Sequence, residues 1–276
     1  MRTTTRLAAA AAVGAVALAF AGAAAPATAA SSDARLSVLH GVPDATVDVY
    51  LDGKRALNDF KPGDLAGPLD VPAGSHSIAI TAGDAENDDK PIIGPVDVKL
   101  TAGTSYTAAA HLTADGKPTA TLFTDDTSKL AAGKGRLTVR HTAAAPAVDV
   151  LANKEVVIKG LENPDEKVLE LPAGTISAAV AAAGSTDPVI GPADVNVAEG
   201  VNTIVYAWGS LDDKNLEFAV QTIKDLHGSP SGVNTGSAGL AAEQSPMTTA
   251  WALAGLLALV AAGGTGATIA VRARRS

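Results

Sequence analysis

The sequence predicts an all-β protein: two tandem Ig-like β-sandwich domains, with an N-terminal signal peptide before them and a C-terminal transmembrane helix after them. Three observations lead there. The middle of the chain repeats itself once, at an offset that drifts from 101 residues at Arg35/Arg136 to 97 at Pro91/Pro188. Within each copy apolar residues alternate with polar ones at a period of two. Both ends of the chain are apolar runs of the lengths that export and membrane insertion require.

Residues 1–30 hold Arg2 and Arg6, an apolar run from Leu7 to Ala25, and the small-residue triplet Ala27-Thr28-Ala29. A basic start, a short Ala-rich run and a small-x-small site describe a cleavable signal peptide. An uncleaved anchor fits less well, because the run is rich in Ala rather than Leu. Arg2 and Arg6 are not adjacent, so nothing supports the twin-arginine route.

Residues 31–128 and 135–226 are the expected domains. The alignment of the copies sets Leu36, Val38 and His40 against Leu137, Val139 and His141, and Val47-Asp48-Val49 against Val148-Asp149-Val150. Further on, Pro72-Ala73-Gly74 matches Pro172-Ala173-Gly174, and Gly94-Pro95 matches Gly191-Pro192. Losses confined to loops explain the drifting offset. Turn chemistry separates the strands. Asp52-Gly53 is a hairpin signal, and Pro72-Ala73-Gly74 suits a type I turn. Where the first copy has Pro43-Asp44 and Asp52-Gly53, the second has Ala144-Ala145 and Asn153-Lys154, which predicts a different hairpin turn there. The break between the copies, near residues 126–135, is short and predicts a semi-rigid rod.

Residues 227–246 read as a flexible Gly/Ser/Pro linker. In the expected transmembrane helix, residues 247–271, the 22 residues from Ala250 to Val271 carry no charge. At about 1.5 Å each they reach roughly 33 Å, against a hydrocarbon core of about 30 Å. Arg272, Arg274 and Arg275 lie in the basic tail 272–276, which the positive-inside rule puts in the cytoplasm. A small-residue stripe, Ala258, Ala262, Gly266 and Ala270, is what chance produces in a segment this rich in Ala and Gly. The expected place is the cell membrane, crossed once, with the domains outside.

The residues between the two ends hold all 29 acidic side chains and 16 of the 21 basic ones, a net charge of −13. Such a surface repels nucleic acid. With no cysteine, an exported chain must rely on its hydrophobic cores.

The run Leu36-Ser-Val-Leu-His40, then Pro43-Asp44, Val47-Asp48-Val49-Tyr50 and Asp52-Gly53, resembles the opening of the bacterial domain-of-unknown-function family 4397. The turns Val71–Gly74 and Leu171–Gly174 resemble that family's Leu-Pro-Ala-Gly turn. The resemblance spans residues 35–226, better in the first copy than in the second. It implies a β-sandwich on exported, often actinobacterial, proteins, and no established activity.

The chemistry is sparse. No Cys, Gly-x-Ser-x-Gly or His-Glu-x-x-His is present, so no enzyme is expected and no cofactor is indicated. His40, His141, Asp48 and Asp149 recur in both copies and are the candidate site residues. The expectation is a strand-end histidine bonded to its neighbouring loop, and a carboxylate that is solvated or caps a loop. His76 faces Ile176 in the repeat and His111 faces Trp208, which marks both as packing positions. Asp97 and Asp194 read as solvated. The acidic stretch Asp84, Glu86, Asp88, Asp89 invites a calcium reading, but an EF-hand would want Gly and Glu where Asp89 and Pro95 stand. Asp125-Asp126 and Asp212-Asp213 are weaker still. Asn234-Thr235-Gly236 lies where a sortase motif would stand, without its Leu-Pro opening, so covalent attachment to the cell wall is the alternative to a retained helix. The reading is a non-enzymatic surface protein serving structural or binding roles, its surface or cell-wall partner unnamed. The alternative is an ion- or carbohydrate-binding module, poorly supplied with only three Tyr and two Trp.

Overall fold

Strong period-two alternation produces sixteen strands and, among the described residues, no α-helix. The computed structural model describes residues 32–228. The signal peptide, the Asn234-Thr235-Gly236 motif, nearly all of the linker and the membrane segment lie outside that range. Among the described residues no helix is long and apolar enough to cross a membrane.

The first half contains β1 (Asp33–His40), β2 (Val47–Leu51), β3 (Lys54–Phe60), β4 (Leu65–Pro72), β5 (Gly74–Ala82), β6 (Ile93–Leu100), β7 (Ser105–Leu112) and β8 (Pro118–Thr124). The second contains β9 (Lys134–His141), β10 (Val148–Ala152), β11 (Glu155–Leu161), β12 (Glu166–Pro172), β13 (Gly174–Ala182), β14 (Pro188–Val197), β15 (Asn202–Trp208) and β16 (Glu217–Ile223). Each half makes two four-stranded sheets with the same order, β4-β1-β7-β8 with β3-β2-β5-β6, and β12-β9-β15-β16 with β11-β10-β13-β14. Registers correspond as well. The parallel pair β1/β7 sets Arg35 opposite Ser105, and β9/β15 sets Arg136 opposite Asn202. The sandwich layering agrees with the Ig-like expectation. The strand order does not, because an Ig constant domain never sets its first strand between the fourth and the seventh.

The two sheets of each half close on an apolar core. Leu36, Val38, Val49, Ile80 and Leu100 meet in the first, and Leu137, Val150, Val180, Val197 and Val205 in the second. A third cluster joins the halves: Leu39, Ala109 and Phe123 against Ile204, Tyr206, Trp208 and Ala219. It is built from the opposite faces of the same strands, since Leu39 alternates with Val38, and Ala109 with Ala108 and Ala110. The four sheets are therefore stacked, and the middle two are covered on both faces. Every residue of β7 and of β15 is buried.

This arrangement corrects the rod expected from the short break between the copies. All the described residues fall in one compact unit, and the connecting segment is tied down along its length. The backbone N–H of Leu130 donates to the Leu226 carbonyl at 2.7 Å. Lys129 Nζ donates to the Asp225 carbonyl, and Asn202 Nδ2 to that of Asp126. Arg136, 2 % exposed, ion-pairs with Asp126 and Glu170 and donates to the Ser128 carbonyl. Near the end of β7, Asn163 Nδ2 donates to the carbonyls of Leu112 and Ala143, one from each half.

Two turn expectations also change. Pro72-Ala73-Gly74 is a bend that carries the chain from one sheet to the other, not a hydrogen-bonded turn. The second hairpin keeps the turn of the first: Asp52 and Gly53 have φ of 52° and 74°, Asn153 and Lys154 of 52° and 72°. The reason is a shared side-chain bond, Asp52 Oδ1 accepting from the Ser77 N–H and Asn153 Oδ1 from that of Ser177. Lys154 is held in a left-handed conformation that costs an L-residue about 1–2 kcal/mol. Lys154→Gly removes that cost and adds some backbone entropy to the unfolded chain. It should stabilise the protein by about 1 kcal/mol, read as a higher urea midpoint with an unchanged slope.

Candidate functional site

The repeat-preserved residues are structural clamps. His40 Nε2 donates to the Ala45 carbonyl at 2.7 Å, and His141 Nε2 to that of Pro146 at 3.0 Å. Their Nδ1 atoms accept, at 3.5 and 3.4 Å, from the N–H groups of Val42 and Ala143. These partners assign the neutral tautomer to both rings, and each ring holds the loop after its strand, as expected. Asp48 and Asp149 are buried rather than solvated, at 0 % and 6 % exposed, and bond the neighbouring edge strands β3 and β11, with Asp149 alone also reaching a loop. Asp149 accepts from the N–H groups of Gly160 and Gly184. Asp48 accepts from that of Asp59 and has Arg55 Nε 3.1 Å from its other oxygen. The two residue types have separate partners, so no His–Asp pair forms. Asp97 and Asp194 are exposed.

The remaining histidines divide. His111 is buried, its Nδ1 donating to the Leu112 carbonyl and its Nε2 beside the Thr121 hydroxyl. His76 is not a packing residue. Its Nδ1 lies 2.7 Å from Asp52 Oδ2 and its Nε2 2.7 Å from the Pro72 carbonyl, and since both partners only accept, the ring carries both protons. The acidic stretch after β5 is closed by Arg55 Nη2 donating to the Ala85 carbonyl at 2.8 Å. Among the described residues no group of three or more His, Asp or Glu side chains converges as a metal site.

Two features that the sequence reading missed dominate the junction of the halves. The first is a buried polar network. Arg140, 1 % exposed, donates from Nη2 to Asp125 Oδ1 at 3.0 Å, from Nη1 to the Tyr206 hydroxyl at 2.7 Å and from Nε to Glu166 Oε2 at 2.7 Å. Its guanidinium lies 4.3 Å from the centre of the Phe123 ring. Asp125 also accepts from the Ser105 and Thr107 hydroxyls, and Tyr206 donates onward to Gln221 Oε1 at 2.6 Å. Burial raises the Tyr206 hydroxyl to about 12, so it stays a neutral donor. The signal lay in the comparison of the two halves of the sequence, where Arg140 takes the place of Leu39.

The second is a cleft of about 640 Å³ beside that network, between β1 and β4 of the first half and β16 and the segment after it in the second. Arg35, Ser37, Leu65 and Pro68 form one wall, and consecutive residues from Val220 to Leu226 form the other. Gln221 belongs to both features: it closes the buried network through Oε1 and lines the cleft.

With this geometry in view, the comparisons place only part of the chain. Residues 34–151 match the family described as "Domain of unknown function (DUF4397)". The matched segment runs from β1 through β10, and so takes in the whole first half and the opening two strands of the second. No curated protein matches the chain.

Two outcomes follow from the buried groups. Asp125→Ala leaves the Arg140 charge buried without its one fully buried carboxylate partner and should cost about 3–5 kcal/mol. The pair Asp125→Leu and Arg140→Met together should recover most of that loss, because well-packed apolar replacements for buried ion pairs are near neutral; chemical denaturation of the three variants decides it. Burial also pushes His40, His111 and His141 below the ordinary histidine range, whereas the hydrogen bond to Asp52 raises His76. The three depressed groups contribute stability that is complete above their unfolded value of about 6.5 and declines as pH falls through it toward their folded values. His76 has the opposite sign, its contribution being present below about 6.5 and lost as pH rises through its folded value. Imidazole NMR titration should show three histidines below 6.5 and His76 above it.

Proposed function

We propose that this is a non-enzymatic, exported surface protein in which two copies of the family domain are fused into one unit, held outside the cell by a C-terminal membrane helix. The observation that carries the non-enzymatic reading is the fate of the repeat-preserved polar residues. His40, His141, Asp48 and Asp149 direct their hydrogen bonds to backbone groups of their own halves, which leaves no base aimed at a nucleophile. The match over residues 34–151 to a domain of unknown function fits this reading and adds no activity. Treating both halves as copies rests on their shared strand order and on the motifs repeated in the sequence.

Export and anchoring rest on the sequence alone: the basic start and small-x-small site within residues 1–30, and the uncharged run before Arg272. The tied-down connection between the halves suits a presentation role, since a joint fixed at Leu130, Arg136 and Asn163 keeps one surface in a constant relation to the next. Structural spacing and binding of another surface component are the roles this serves.

Intact mass of the mature protein after envelope fractionation tests the reading. The expected species begins near Ala30, retains Arg275 and stays with the membrane. A chain ending at Thr235 and released only by wall digestion would instead assign the tail to a sortase. A chain found in the cytoplasm at its full mass would sink the exported reading altogether.

A further inference from the structure

An edge strand presents unpaired N–H and C=O groups that another chain can join, and natural sheets guard such edges with Pro, charge, bulges or cover. Eight strands here are edges. Six carry Pro or charge within them: Pro68 and Asp70 in β4, Lys54 and Arg55 in β3, Pro95 and Lys99 in β6, Lys159 in β11, Pro192 in β14, Lys167 and Glu170 in β12. Five of these, β3, β4, β6, β11 and β14, also pair through an irregular register. The seventh, β8, opens on Pro118 and packs along β6. The eighth, β16, has no Pro, no Lys or Arg and an unbroken register with β15, and its only charge is Glu217 at the start. Val220, in its middle, is 51 % exposed.

The cleft runs along this strand. Side chains of successive strand residues alternate between faces, yet Val220, Gln221, Thr222 and Ile223 all line it, which places the opening along the free edge. From Val220 to Leu226 an extended chain covers about 20 Å at roughly 3.3 Å per residue. The cleft of about 640 Å³ follows that edge, where an added extended chain would lie.

The cleft also carries unspent polar groups. Gln221, 6 % exposed, uses Oε1 in the buried network, while its Nε2 has no partner among the described residues. Ser37, 3 % exposed, has a hydroxyl with no partner among the described residues. Arg35, exposed on the opposite wall, has no ion pair among the described residues, although its counterpart in the second half, Arg136, has two. Two buried side chains with free polar atoms, a free guanidinium and an unguarded strand edge together fit a partner that brings its own backbone and an anionic group.

We propose that the free edge of β16 is a docking site for an extended peptide segment bearing a carboxylate. The peptide adds a fifth strand to the β12-β9-β15-β16 sheet, its main chain supplying the edge hydrogen bonds and its carboxylate pairing with Arg35. The proposal goes beyond the surface-protein reading and does not depend on how the chain is anchored.

The test screens a random nine-residue peptide library on phage against the full chain in lipid nanodiscs, then follows the enriched peptides individually. Acidic peptides are expected to be enriched, to slow amide exchange at Val220–Ile223 at least tenfold, and to bind at least tenfold more weakly to Arg35→Gln and to Val220→Lys. Both substituted side chains are exposed, so thermal unfolding should match the parent and separate lost binding from lost folding. The proposal fails if no peptide is enriched, or if either variant binds the enriched peptides unchanged. It also fails if the β16 amides are already protected without peptide in a concentration-dependent way, because the occupant is then a second copy of this chain.

Discussion

The structure depends on the contact between the two middle sheets. Each half on its own would leave one face of its β1- or β9-bearing sheet in water, and those faces carry Leu39, Ala109, Phe123, Ile204 and Tyr206. Burying a side chain such as Leu39 or Ile204, both at 0 % exposed, stabilises by about 1.5–3 kcal/mol. The ion pair between Arg140 and Asp125 adds little net energy, because desolvating both charges offsets most of their attraction. Its effect is on register. A guanidinium that must meet Asp125, Tyr206 and Glu166 at once allows the two faces a single alignment, while the apolar side chains around it would tolerate several. Affinity between the halves is thus apolar, and its specificity is polar.

Much of this fold was legible in the sequence. The repeat, the strands and the loop-holding role of His40 and His141 all follow from residues that recur at corresponding places. The burial of Asp48 and Asp149 did not follow, because alternation assigns a face and not what covers it. The same limit hid the junction. An amphipathic strand in one isolated sandwich and a strand between two stacked sheets both alternate, and only the near absence of polar residues distinguishes the second. That signal is present in Tyr106-Thr-Ala-Ala-Ala-His111 and in Ile204-Val-Tyr-Ala-Trp208. Tandem copies of similar length nevertheless suggest two separate domains, and a short connection between them suggests no more than a semi-rigid rod.

Differences between the halves are as informative as their likeness. Leu39 corresponds to Arg140, Ala109 to Tyr206 and Thr107 to Ile204, by the shared register of the parallel pairs. The faces have become complementary: small residues on β7 leave room for the large ones on β15, and the carboxylate after β8 meets the cation on β9. Inward-facing positions such as Leu36/Leu137 and Val38/Val139 are kept, because each half still needs its own core.

Complementarity has a consequence for assembly. Two unlike faces that fit one another saturate on first contact, and the sheets farthest from the junction present polar side chains such as Lys54, Asp97, Lys99 and Asp194 to solvent. A third sandwich appended to this chain would find no matching face to cover, so the stack terminates itself at two halves. Identical faces would instead have let each half pair with its like in another molecule through a closed two-fold contact; with Leu39 on one face and Arg140 on the other, neither half presents the other's face.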